Sequence, residues 1–204
     1  MASFFGIDLV TLIQTIGYFC LFAIIFAESG LFFGFFLPGD SLLFTAGFLA
    51  SQGYLHVGWL IGLLLVAAIS GDTVGYAFGF KVGVKLFAKE DSRFFKQSYL
   101  HRAQDFYHRY GKKALVLARF MPMVRTFVPI VAGVAQMNYG DFWRYNALGG
   151  ALWVFSVTLL GYFLGATVPG VEKHLSLFIL AIIILSVAPT VVELIRAQNK
   201  KINQ

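Results

Sequence analysis

The chain has 204 residues, 58% of them hydrophobic and only 13% charged, with 23 Phe and a mean hydropathy of +0.76. So little polar surface excludes an ordinary soluble domain and points to an all-α polytopic membrane protein, one membrane domain over residues 1–204. The net charge of +6 is gathered in two places, so it reads as a topology and headgroup signal rather than as a nucleic-acid footprint.

The start, MASFFGIDLV, has no basic n-region and no clean small-residue cleavage site. It is therefore read as part of the mature chain. Residues 8–24 are apolar enough to cross a membrane, and the side of the N-terminus stays open. Cys20 is the single cysteine, so no internal disulfide is expected and the residue reads as small packing.

Residues 9–50 then run without a polar loop, although one spanning helix needs about 20 residues. Within them lies Glu28 to Asp40, ESGLFFGFFLPGD. Pro38 cannot donate a backbone hydrogen bond, and Gly39 takes positive φ readily. The pair predicts a turn at membrane depth, where non-helical backbone must face protein or a wet cavity. A re-entrant helical hairpin meets that need; a kinked but fully spanning helix is the alternative. A spanning helix follows over the apolar run 55–72 and its continuation SGDTVGYAFG, which carries Asp72.

Nine basic residues fall between Lys81 and Lys113. In the same stretch Phe94, Phe95, Tyr99, Phe106, Tyr107 and Tyr110 recur at three- and four-residue spacings. Residues 84–111 thus read as an amphipathic linker helix on the cytoplasmic surface. A second broken segment follows, ARFMPMVRTFVPIVAG, in which Pro122 and Pro129 are expected to turn the chain as Pro38 and Gly39 do. Residues 145–169 give a second spanning helix, opened by Arg144 as an interfacial cation and by Asn146. Residues 175–194 give a last transmembrane helix, ending near Arg196, Lys200 and Lys201. The positive-inside rule puts the linker and the C-terminus in the cytoplasm.

Two blocks repeat at one offset of 86 residues: Ala46-Gly47 as Ala132-Gly133, and Gly75-Tyr76 with Gly79 as Gly161-Tyr162 with Gly165. The constant offset predicts a duplication, with units at 28–83 and 112–168. If both broken segments re-enter, each unit crosses once and the units are inverted, as in transporters with midplane sites. The glycine spacings themselves read as close helix packing.

Glu28, Asp40, Arg119 and Arg125 all fall in the broken segments. Left unpaired in lipid they would cost on the order of 10 kcal/mol together. Two acids from one segment and two arginines from the other are therefore expected to meet. Arginine holds phosphate through a rigid, permanently charged fork, which makes Arg119 and Arg125 candidate substrate ligands. Burial and a neighbouring cation shift a carboxylate in opposite directions, which makes Glu28 and Asp40, and secondarily Asp72, candidate proton carriers. No phosphate loop, zinc motif or Ser/His/Asp set appears. The four histidines, His56, His101, His108 and His174, are scattered outside the broken segments. No enzyme activity, cofactor or metal is expected.

Glu28-Ser29-Gly30 with Leu37-Pro38-Gly39-Asp40, and Arg119-Phe120 with Pro122, Arg125-Thr126, Pro129 and Ala132-Gly133, together resemble the DedA family of bacterial inner-membrane proteins. A related domain occurs in eukaryotic autophagy-linked lipid scramblases. The resemblance covers roughly residues 20–168 and includes Gly71-Asp72 with Gly75-Tyr76. It implies a flippase returning undecaprenyl phosphate across the cytoplasmic membrane, coupled to protons or membrane potential. It also implies that Glu28, Asp40, Arg119 and Arg125 are the functional charges. A general phospholipid scramblase, a proton- or cation-coupled small-solute antiporter and a non-transporting envelope scaffold are the alternatives. The expected partners are an anionic lipid and the membrane, with no nucleic acid; a homo-oligomer is left open.

Overall fold

The computed structural model describes residues 3–4, 7–31, 39–82, 105 and 107–167, with side chains from Ile16 onward except Pro122 and Met123. The expected C-terminal helix, most of the amphipathic linker (84–104 and 106) and Pro38 lie outside the described residues.

The described chain is helical apart from a two-residue antiparallel ladder, β1 (Ser3–Phe4) on β2 (Ile7–Asp8). Helix α1 is Leu9–Gly30, α2 is Gly39–Ser51 and α3 is Val57–Val82. After a 3-10 turn at Gly111–Lys113 comes the short α4, Ala114–Leu117, and a second 3-10 turn at Ala118–Phe120. Helix α5 is Pro122–Val134 and α6 is Tyr139–Thr167. Helices α3 and α6 are long and apolar enough to cross a membrane. At 1.5 Å per residue they measure about 39 and 44 Å, against a hydrocarbon core of about 30 Å. Their outward faces carry Trp59, Val66, Phe80, Leu152, Leu160 and Phe163, all exposed and apolar. Such a surface is at home in lipid.

Helix ends explain why the elements stop where they do. Asn138 caps α6, its Oδ1 accepting from the Gly140 N–H at 2.9 Å. Helix α2 closes with a Schellman turn: the Tyr54 N–H bonds the Leu49 carbonyl, the Gly53 N–H bonds the Ala50 carbonyl, and Gly53 has φ +80°. Helix α5 closes the same way, with Met137 on Ala132 and Gln136 on Gly133, but there Gln136 takes the left-handed conformation at φ 53°.

Pro122 stands at the first position of α5, behind an extended Met121. Its missing N–H would be unsatisfied there anyway, so proline starts this helix well. Pro129 corrects the sequence expectation. It is inside α5 and does not turn the chain. The helix runs through it, leaving the Arg125 carbonyl without its usual donor four residues on.

The chain divides into two compact units. The first comprises residues 1–37 and 58–156. Its core gathers Tyr76, Leu115, Phe127, Val128, Ile130, Val131 and Phe142. The Tyr76 hydroxyl donates to the Met137 carbonyl at 2.5 Å, and its ring stacks on Phe142 with centroids 4.3 Å apart. In this unit α5 crosses α3 with no room for side chains. A methyl on Gly79 would strike the backbone of Ile130, and one on Gly133 the backbone of Tyr76 and Phe80. The second unit comprises residues 38–57 and 157–204. Here α2 crosses the end of α6 in the same manner: Gly47 meets the backbone of Thr158, and Gly161 that of Phe44. The Gln52 side chain also donates to the Gly165 carbonyl at 2.9 Å.

A buried site of paired charges

The site lies in the first unit and is built from four pieces of chain. Asp72 and Ile69 come from the middle of α3, one turn apart. Glu28 comes from the last turn of α1, Arg119 from the 3-10 turn before α5, and Arg125 from the first turn of α5. The fourth wall is one stripe of α6, at positions 146, 149, 150 and 153.

Arg119 is 3% exposed, and its Nη2 donates both to Asp72 Oδ2 and to Asn146 Oδ1, the latter at 2.7 Å. Asn146 is fully buried and its Nδ2 donates to the Ile69 carbonyl at 3.2 Å. That second bond fixes the amide: nitrogen toward the carbonyl, oxygen toward the guanidinium. The stem of Arg119 lies along α6 at two glycines. A methyl on Gly149 would sit 3.3 Å from its Cγ, and one on Gly150 would sit 3.6 Å from its Nη2. A side chain at 149 would crowd the Arg119 stem and the backbone of Val116, while a methyl at 150 would just touch the guanidinium.

Arg125 is paired with Glu28 through Nη2 and Oε1, at 9% and 1% side-chain exposure. Trp153 lies against both arginines, its ring centroid 5.7 Å from Arg119 Cζ and 5.0 Å from Arg125 Cζ. Both distances are within cation–π range. The site thus holds two cations and two anions, three of them buried and Arg125 nearly so, with a formal net charge of zero. Paired and hydrogen-bonded in this way, the four charges escape most of the cost of isolation, though they gain little over apolar packing.

The structure brings together Glu28, Asp72, Arg119 and Arg125. Asp72, a secondary candidate from sequence, is the carboxylate that Arg119 takes, where an acid of the first broken segment was expected. Asp40 lies half-buried in the first turn of α2, in the second unit. Its acid at a helix N-terminus is favourable in itself. Gly39 is the first residue of α2 and Pro122 the first of α5, so both stand at helix starts. The sequence reading missed Trp153 altogether and treated Asn146 only as the opening of a helix. The available signal was their spacing: Asn146, Gly149, Gly150 and Trp153 make one helical face with a polar residue at one end and an aromatic at the other.

The VTT domain matches residues 37–163, well over half the chain. That span takes in α2 through most of α6 and both arginines of the site. The chain belongs to the DedA family. Protein DedA of Escherichia coli strain K12 is 49% identical over 181 residues, covering 88% of this chain and 82% of that protein. An uncharacterized membrane protein of Mycobacterium leprae is 44% identical over 169 residues, covering 83% and 75%. The inner membrane protein YqjA of Escherichia coli strain K12 is 40% identical over 150 residues, covering 74% and 68%. No solved structure matches. Two spanning-length helices, lipid-compatible outer faces and this kinship make the chain a DedA-family membrane protein.

Proposed function

We propose that this DedA-family protein carries a phosphate-bearing lipid across the bacterial cytoplasmic membrane, with undecaprenyl phosphate as the leading substrate. The observation that carries the reading is a pair of arginines, Arg119 buried and Arg125 nearly so, each paired with a carboxylate and held against one indole. A fork-shaped cation buried among apolar helices can exchange one oxyanion for another: carboxylate out, phosphate in. Protonation of Asp72 or Glu28 would release its arginine, and phosphate would take the vacated place. Loss of the proton would restore the pair and expel the lipid. The protein does no covalent chemistry in this cycle.

The inverted-repeat arrangement is part of the proposal. Helix α1 ends at Gly30 and α2 begins at Gly39, both within the ESGLFFGFFLPGD stretch, and α5 starts anew at Pro122. The duplicated glycines support it further. In each unit the short helix of one repeat packs on the long helix of the other, Gly47 against Thr158 and Gly133 against Tyr76. The basic linker and the C-terminus would then face the cytoplasm.

The test is translocation of polyprenyl phosphate in liposomes containing the purified protein. Wild type should accelerate it, and lysine at 119 or 125 should sharply slow it, because a point charge cannot reproduce the bidentate fork. Equal rates for both lysine variants and wild type would show that the bidentate fork does not hold the phosphate, and no acceleration by wild type would favour an ion or small-solute antiporter. A scaffold is the other reading, favoured by the completeness of the charge pairing. It predicts that replacing the Asp72–Arg119 pair with neutral residues leaves envelope function intact.

A further inference from the structure

We propose that Trp153 is a positioning residue shared by the two arginines, and that through its ring the two ion pairs respond as one unit. Trp153 is among the largest fully buried side chains of the protein, 1% exposed, on the α6 stripe that also carries Asn146, Gly149 and Gly150. Both guanidinium carbons lie close to its ring, at 5.7 and 5.0 Å. Each cation also polarises the one indole toward itself, at the expense of the other. Each arginine therefore weakens the hold of the ring on the other. When one arginine is drawn off the ring toward an incoming anion, the ring holds the remaining arginine more strongly. Burial matters here, because water would otherwise screen the ring from both charges. Asn146 and the two glycines fix where Arg119 can lie. The ring is thus the element common to Asp72–Arg119 and Glu28–Arg125. The inference concerns the guanidiniums alone, so it stands or falls independently of the substrate.

Trp59 and Trp143 are 77% and 50% exposed, so replacing both with Phe leaves Trp153 as the only tryptophan of the full-length protein. In that background, purified in detergent micelles, Trp153 is replaced biosynthetically by 5-fluorotryptophan and then by a difluorinated analogue. Fluorine draws electron density from the ring face while leaving shape nearly unchanged and apolarity slightly raised. The unfolding midpoint should fall stepwise with each fluorine. A ring that merely fills space would give an unchanged or slightly higher midpoint, and that result would overturn the proposal. Arg119→Lys and Arg125→Lys provide the second readout. Each should shift the emission of Trp153, and their combined effect on the unfolding equilibrium should depart from the product of the separate fold-changes. That departure should shrink as fluorines are added. A departure of the same size with native and difluorinated rings would assign the coupling to direct charge repulsion and overturn the proposal. The fluorinated proteins keep both arginines, so the first readout remains decisive if a lysine variant fails to fold.

Discussion

Single residues carry the charge accounting of this protein. Asp72→Asn leaves Arg119 buried without its counter-charge, and the expected loss is about 3–5 kcal/mol. Neutralising both members, Asp72→Asn with Arg119→Gln, should return most of that stability, as read from unfolding midpoints in micelles. Asn146→Leu keeps every charge but removes an acceptor from Arg119 and a donor from the Ile69 carbonyl. It should cost about 1–3 kcal/mol. The four ionisable residues in the broken segments were legible in sequence because charge stands out in an apolar chain. Their partners were less so. Asp72 pairs with Arg119 because a turn of α3 meets the 3-10 turn at 118–120, and no local pattern encodes such a meeting. Trp153 is invisible for a related reason: an aromatic in an apolar helix reads as packing until the arginines beside it are seen.

At the scale of elements, the helix crossings depend on missing side chains. Gly79→Ala and Gly133→Ala each drive a methyl into backbone, and each should destabilise by about 1–3 kcal/mol or more. Gly62→Ala is the control, since nothing lies within 4 Å of its added methyl. It should be neutral or slightly stabilising in the same melt. The two Schellman ends make a second pair. Gly53 is suited to positive φ, while Gln136 holds it at the cost of a Cβ close to the following carbonyl. Gln136→Gly should gain up to about 1 kcal/mol, measured as a raised unfolding midpoint; a lowered one would show that the glutamine side chain contributes there. The recurring Ala-Gly and Gly-Tyr blocks announced close helix packing in the sequence, but not which helices would cross. Proline was the less reliable guide. Pro122 begins a helix and Pro129 is carried within one, because a helix start has no use for the missing N–H and a membrane helix can absorb its loss.

At the scale of the whole molecule, two spanning-length helices deliver one polar site into an apolar setting. Helix α3 brings Asp72 and α6 brings Asn146 and Trp153, both from well inside their length. The composition of the chain made the membrane class legible at once. The position of the site was not, since it depends on where shorter segments cross those two helices. A site with zero net charge at rest, opened by exchanging one oxyanion for another, is the central claim. The direct measurement is polyprenyl phosphate translocation by liposomes containing either wild type or the Asp72→Asn/Arg119→Gln protein, each shown to be folded by its unfolding midpoint. Wild type should translocate the lipid and the stable, neutralised protein should not. Equal rates from the two would mean that the buried pair only holds the helices together, and would contradict the account.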